Sequence, residues 1–236
     1  YGNHRDLHSF PTRRSSDLAL HNLEPGLVLL ADETKLSVTL LNSIPGSVKI
    51  TYDKSIPAAM KAVKNLTEIS NIEETMIKDG IVLTKFFFWF ENSIDRLIMD
   101  EKNLAQKLTE LRKQQEGFLM SSFRPIIAFN ENAALPHYET GSGLSSTIGD
   151  RGILLVDSGG HYFGGTTDTT RTIMKGLPSI QQKRDFTMVL KGHIALATAK
   201  FPIGTKGYQL DVLARKVLWE NGLNYGHGTG HGVGYC

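Results

Sequence analysis

The chain has 236 residues, with 26 Lys and Arg against 24 Asp and Glu, 40% hydrophobic residues and one cysteine. So even a charge balance leaves no electrostatic footprint for nucleic acid or an anionic membrane surface. A lone Cys236 excludes an intrachain disulfide and points to a reducing, cytoplasmic setting, and no apolar run is long enough to predict a membrane span.

Tyr1–Leu18 (YGNHRDLHSFPTRRSSDL) resembles the in-frame translation of a short-read sequencing adapter, most clearly in HSFPTRRSSDL. It has neither the apolar core of a signal peptide nor an amphipathic pattern. Residues 1–18 are therefore set aside as non-native and expected to take no part in the fold. Three basic and two acidic residues go with them, leaving 23 against 22. Residues 19–56 alternate apolar runs (Leu27–Ala31, Ser37–Leu41, Val48–Tyr52) with turn signals at Pro25-Gly26 and Pro45-Gly46. They read as the remnant of a preceding domain whose apolar faces lack partners.

From residue 57 onward the helical and strand patterns are stronger. Thr67 is a plausible N-cap with Glu68 in the first turn. Ile69, Ile72, Met76, Gly80 and Leu83 then recur near helical spacing, extended by Phe86, Phe87, Phe90, Ile94 and Leu97. Aromatics at that spacing read as core rather than as a cofactor or base-stacking platform. Asp100–Gly117 predicts a second helix with Leu104, Leu108 and Leu111 inward and the charges between those leucines on a solvated face. Pro125–Phe129 reads as a short strand, Asn130–Pro136 as a connection to His137, and Gly141–Asp150 as a polar loop. Pro178–Phe201, which contains an ordinary helix histidine at His193, and Gly204–Glu220 predict two further helices, the second ended by Gly222. Helices alternating with antiparallel hairpins indicate an α+β fold.

Two stretches carry the chemistry. Ile153–Ile173 (ILLVDSGGHYFGGTTDTTRTI) reads as one antiparallel hairpin of apolar and threonine-rich strands around a glycine-dense middle. With its tip near Tyr162–Gly164, Asp157 and Asp168 fall almost opposite each other on one face. Cβ atoms so placed stand about 4.5–5.5 Å apart, and like charges there repel. A cation between them turns that penalty into a binding site, and two divalent ions ~3.5–4 Å apart form a hydrolytic clamp. A surface hairpin with two solvated aspartates fits the same residues. Gly226–Gly234 (GHGTGHGVG) holds His227 and His231, and its glycines argue against a helix. Imidazole is the commonest side-chain ligand for transition metals. Exposed loop histidines are the alternative, as is a phosphate-cradling loop, although GxxxxGK[ST] is absent.

Taken together, a D-x10-D hairpin followed some sixty residues on by HGTGHGVG resembles the metallopeptidases of the pita-bread fold, which include aminopeptidase P, prolidase and methionine aminopeptidase. Lys64–Ile69 (KNLTEI), DGIVLTKFFFWFE and ENAALPHYE are similar to the aminopeptidase P branch, Xaa-Pro aminopeptidases. The resemblance covers residues 57–236, which it makes the N-terminal part of a catalytic pita-bread domain that is incomplete at its C-terminus. It also makes residues 19–56 the end of a smaller α/β domain. It implies two divalent metal ions, Mn²⁺ before Zn²⁺ or Co²⁺, held by two Asp, one His and two Glu. Matched by motif, Asp157, Asp168 and His231 are three of these ligands, while both glutamates fall beyond Cys236. His227 and His137 are implied to line the substrate pocket beside the scissile bond. The implied reaction releases the residue before a proline at the second position of a peptide, by attack of a metal-bridging hydroxide. With three of five ligands, these 236 residues are expected to be inactive by themselves. Full-length relatives imply a homodimer. Prolidase, which cuts Xaa-Pro dipeptides, and a non-catalytic pita-bread peptide-binding protein are the rival readings. The latter is disfavoured because Asp157, Asp168 and His231 are all present.

Overall fold

The computed structural model describes residues 13–93, 98–140 and 145–235. Ile94 and Leu97, residues 141–144 of the expected loop at 141–150, and Cys236 lie outside them. The chain divides into two compact units, Tyr1–Leu66 and Thr67–Cys236, so the boundary falls ten residues later than the sequence suggests.

The first unit contains α1 (Arg13–His21), β1 (Val28–Ala31), α2 (Val38–Asn42), β2 (Lys49–Tyr52) and α3 (Ile56–Ala62). Helix α1 begins inside the segment set aside as non-native, so the expectation that residues up to 18 stand apart from the fold does not hold for the last six of them. β1 and β2 pair in parallel, Val28 against Lys49 through Ala31 against Tyr52. Parallel neighbours need a crossover, and the run Ser37–Leu41 supplies it as a short helix whose first turn is capped by the Ser37 hydroxyl. Val28, Val38 and Tyr52 remain exposed.

The second unit opens with the 28-residue α4 (Leu66–Ser93). It starts one residue before Thr67, which therefore lies within the first turn rather than capping it. Its buried face is Thr75, Asp79, Val82, Leu83, Phe86 and Phe90, while Ile69 and Met76 are exposed. The apolar stripe is thus displaced along its N-terminal half, because a buried Asp79 takes a place that periodicity assigns to apolar residues. α5 (Glu101–Lys113) starts with a reciprocal cap: Asn103 N–H donates to Asp100 Oδ1 at 2.7 Å, and Asp100 N–H to Asn103 Oδ1 at 3.2 Å. Leu104 and Leu108 are fully buried, and so are Glu101 and Arg112. These two charged residues lie outside the stretch between Leu104 and Leu111 whose charges are expected on a solvated face, and each has complementary partners inside the protein.

β3 (Phe118–Ser121), β4 (Ile126–Phe129) and a 3-10 turn at Asn130–Ala134 lead to β5 (Gly152–Ser158), β6 (Gly160–Tyr162), β7 (Gly165–Thr166) and β8 (Thr169–Lys175). Two antiparallel sheets result, in the orders β4-β5-β8 and β3-β6-β7. Tyr162 pairs with Gly165, so the reversal lies at Phe163-Gly164 as expected. The ribbon is not one hairpin in one sheet, however. It leaves the first sheet at Ser158 and enters the second at Gly160, so that Gly159 lies at the seam. A Cβ on Gly159 would collide with the Thr167 carbonyl oxygen and the Ser122 hydroxyl. One face of β5 (Leu154, Val156, Ser158) is buried. Its apolar members join Val82, Phe86, Phe90, Leu104, Leu108, Ile127 and Phe129 in the core, each large side chain contributing about 1.5–3 kcal/mol. α6 (Ile180–Ala197), capped by Ser179 and Gln182, packs on α7 (Gly207–Trp219). Gly192 allows the close approach, since a Cβ there would strike the Ala214 carbonyl.

Candidate metal centre

Side chains alternate along a strand, so the face of β5 turned away from the core carries Asp157. Asp157 is half-buried and pairs in register with Ile126 on one side and Thr170 on the other. The Thr170 hydroxyl donates to Asp157 Oδ1 at 2.7 Å. Asp168 lies in the two-residue gap between β7 and β8, also half-buried. Asp157 faces Thr170 rather than Asp168, and Asp168 stands two residues before Thr170. The carboxylates are therefore diagonal neighbours rather than near-opposites. The change of sheet displaces them, because the ladder that would have set Asp168 against its partner ends at Thr169. They still interact. Burial first, and then the charge of Asp157, push the Asp168 carboxyl above the usual carboxylate range, against a lowering effect of His231.

His231 Nε2 lies 3.3 Å from Asp168 Oδ2. A carbonyl oxygen only accepts, so the 2.9 Å contact of His231 Nδ1 with Gly232 O places the ring proton on Nδ1 and leaves Nε2 bare in the neutral ring. Metal-ligating histidines are held in this way by backbone carbonyls. His227 shows the same arrangement, Nδ1 to Gly228 O at 2.7 Å, and its ring stacks on Tyr225 with centroids 4.7 Å apart. Both histidines are on the wall of a cavity of about 890 Å³ between the loop, α6 and α7, which His193 also lines. Two carboxylates, one raised by burial and then by repulsion, with an imidazole Nε2 turned toward that one, make a donor set that fits a divalent cation. Among the described residues no three His, Cys, Asp or Glu side chains converge at ligand distance. The structure brings Asp168 and His231 together, while the Asp157 carboxylate is turned to the Thr170 hydroxyl.

His137 is exposed, and among the described residues no hydrogen bond or ion pair joins it to Asp157, Asp168, His227 or His231. The segment that carries it is nonetheless tightly held. The fully buried Glu101 accepts from Phe129 N (2.7 Å), Asn132 Nδ2 (2.9 Å), Ser146 N (2.9 Å) and the Tyr138 hydroxyl (2.6 Å). Burial, and then the Glu101 carboxylate, push the Tyr138 phenol up to about 12. A raised phenol favours the folded state while it is protonated. This stability is complete below the ordinary tyrosine value of about 10 and is lost as pH rises from there through about 12. Urea midpoints are accordingly expected to fall across that window, and less steeply in Tyr138→Phe.

Sequence reasoning missed Glu101, Asp211 and Arg215. Asp211 and Arg215 stand at i, i+4 on α7, one turn-spacing apart. That spacing is the one signal that could have marked them as a pair.

The profile of metallopeptidase family M24 matches residues 70–236. The probable Xaa-Pro aminopeptidase P of Botryotinia fuckeliana is 43% identical over 203 residues, 85% of this chain and 31% of that protein. Its counterpart in Talaromyces marneffei is 45% identical over 202 residues, again 85% and 31%. The chain thus spans about a third of the length of the curated relatives it matches. Among solved structures, the X-prolyl aminopeptidase of Caenorhabditis elegans, described as a cytosolic enzyme with a di-nuclear active site, superimposes with a TM-score of 0.82 at 37% identity. The superposition covers 90% of this chain and 34% of that one. The prolidase of Pyrococcus furiosus gives 0.68 at 26% identity, over 92% and 63%. With the seamed β-ribbon, the paired carboxylates and the histidine loop in the order that the motifs require, the chain belongs to metallopeptidase family M24 and has its pita-bread α+β fold.

Proposed function

We propose that Asp157, Asp168 and His231 are part of a two-metal centre in an aminopeptidase that releases the N-terminal residue of peptides with proline in the second position. The approach of His231 Nε2 to Asp168 beside Asp157 carries this reading, supported by the names of the relatives. Asp157, Asp168 and His231 would hold the ions, with the Asp168 carboxyl already raised by burial and then by the charge of Asp157. Bound there, two divalent ions supply Lewis acidity and bring a water's pKa toward neutrality. Mn²⁺ suits a centre rich in carboxylate oxygen with one imidazole. The residues themselves orient the parts. Thr170 holds one oxygen of Asp157, and the Gly232 carbonyl fixes the His231 tautomer. The Gly228 carbonyl does the same for His227, which lines the cavity and, with His137, would hold the substrate peptide. The cytosolic setting of the worm enzyme and a homodimeric assembly are proposed with it. Prolidase is the second reading, favoured by the superposition on the Pyrococcus enzyme, at lower identity than the aminopeptidases.

The test uses a form extended to the relatives' length alongside the 236-residue chain. Mn²⁺ titration calorimetry is expected to give two sites in the extended form and weak binding in the short one. A Xaa-Pro tripeptide should be cleaved by the extended form alone. Asp168→Asn is expected to lower metal affinity by more than the roughly 10–100-fold seen for loss of an outer-shell partner. An extended chain that cleaves without metal, or a tripeptide left intact while Xaa-Pro dipeptides are cut, would overturn it.

A further inference from the structure

The loop that carries both histidines has no regular secondary structure, and a Cβ added to Gly226, Gly228, Gly230 or Gly232 would meet nothing within 4 Å. Packing therefore does not give the loop its shape at these positions. Its anchors are polar, and they converge on one side chain of α7. The Arg215 guanidinium donates to the Tyr225 carbonyl (2.6 Å), the His227 carbonyl (2.8 Å) and Asn224 Oδ1 (3.1 Å). It also lies 3.9 Å from the centroid of the Tyr225 ring, which stacks in turn with the His227 imidazole. Arg215 is itself aimed by Asp211, one turn back, through Nε to Oδ2 at 2.6 Å. The other oxygen of Asp211 accepts from the Thr229 hydroxyl, which in turn meets the Tyr225 hydroxyl at 2.6 Å. Further along, the loop is tied a second time, where Thr166 N–H donates to the Gly234 carbonyl at 2.6 Å. His231 lies between these two ties and reaches Asp168, two residues after Thr166.

We propose that Arg215, oriented by Asp211, is the positioning residue of this centre: it sets the backbone of residues 224–229 and thereby the rings of His227 and His231. The proposal rests on the metallopeptidase reading for its consequence, but not for its geometry. The planar five-donor fork of arginine serves two carbonyls, an amide oxygen and a carboxylate at once, with its face free to stack on Tyr225. Lysine, with one nitrogen, cannot reproduce that set.

The experiment compares the metal-free chain with Arg215→Lys and Asp211→Asn. The readouts are amide hydrogen exchange over residues 224–232, histidine side-chain ¹⁵N resonances, and thermal unfolding. Arg215→Lys is expected to speed exchange in the loop at least tenfold and to average the Nδ1-protonated tautomers of His227 and His231, while the unfolding midpoint holds. Asp211→Asn should give the same changes at smaller amplitude. Unchanged loop exchange and unchanged histidine resonances in both variants would overturn the proposal, as would a general fall in stability without a tautomer change. Mn²⁺ titration of the extended form carrying the same substitutions separates the two claims. If the extended parent binds no metal while the loop signature moves as expected, the clamp stands and the metallopeptidase reading falls.

Discussion

Arg112→Met is expected to destabilise the unit of residues 67–236 by about 3–5 kcal/mol, the cost typical of leaving one member of a buried pair without its partner. Asp79 is 1% exposed and Arg112 not at all. The two meet as a fork, Nε to Oδ1 at 2.6 Å and Nη2 to Oδ2 at 3.0 Å, while the Tyr162 hydroxyl donates to Oδ1 at 3.0 Å. Arg112 Nη2 also reaches the Ser158 hydroxyl at 3.1 Å. One ion pair thus joins α4, α5, the last residue of β5 and the last residue of β6. Burial, followed by the charge of Asp79, raises the Tyr162 phenol well above the ordinary tyrosine range, so near neutral pH Tyr162 stays protonated and keeps donating to Asp79. For a unit of this size the midpoint should fall by roughly 6–20 °C, at about 2–4 °C per kcal/mol. The double variant Asp79→Leu/Arg112→Met should recover most of the loss, because apolar side chains of similar volume replace a buried pair at little cost. A single variant that unfolds within about 1 kcal/mol of the parent in urea would show that the pair is solvated in solution.

Glu101→Ala is expected to cost about 4–5 kcal/mol by a different route. The lost carboxylate is the acceptor for two backbone amides, a side-chain amide and a phenol, drawn from Phe129, Ser146, Asn132 and Tyr138. Each donor left without an acceptor costs about 1–3 kcal/mol, reduced where water can enter the space vacated. The anion also lies in the first turn of α5, where the helix dipole favours it. Glu101→Gln keeps one acceptor and places an amide N–H against another donor, so about half the loss is expected. Urea unfolding gives both values. Near-equal stability of the Ala variant and the parent would mean that the donors find water as readily as carboxylate. Under the proposed reading, in which His137 lines the substrate pocket, its neighbour Tyr138 ties Glu101 to that pocket, and the Gln variant of an extended form should show a raised KM before a lowered kcat.

These two sites also mark the limit of what the sequence discloses. The aromatic half of α4, the reversal at Phe163-Gly164, β4 and the helices α6 and α7 follow from apolar spacing and turn residues, because those patterns are local. Asp79, Glu101 and Arg112 look in sequence like any solvent-facing charge. Their burial depends on partners 33 residues away for the ion pair and 28 to 45 residues away for Glu101, which periodicity within one element cannot register. The candidate centre divides in the same way. Asp157, Asp168 and the two loop histidines stand out because their spacing is chemically unusual. The Thr170 hydroxyl, the Gly232 carbonyl and the Arg215 fork that aim them become visible only once the strands are in register and the loop is folded over α7. The diagonal placement of the carboxylates was hidden too, because a single hairpin and a ribbon that changes sheets have the same alternation.

That change of sheets has a reach beyond the strands it separates. At position 159 two backbone segments lie so close that only a hydrogen can stand between them. Asp157 is two residues upstream on one segment, and Asp168 adjoins Thr167 on the other. Any side chain introduced there would act as a wedge, opening the spacing between acidic groups that it never touches. Under the proposed two-metal reading, the cation affinity of the centre therefore depends on a residue with no donor atom to offer, and damage to it can originate in the backbone alone.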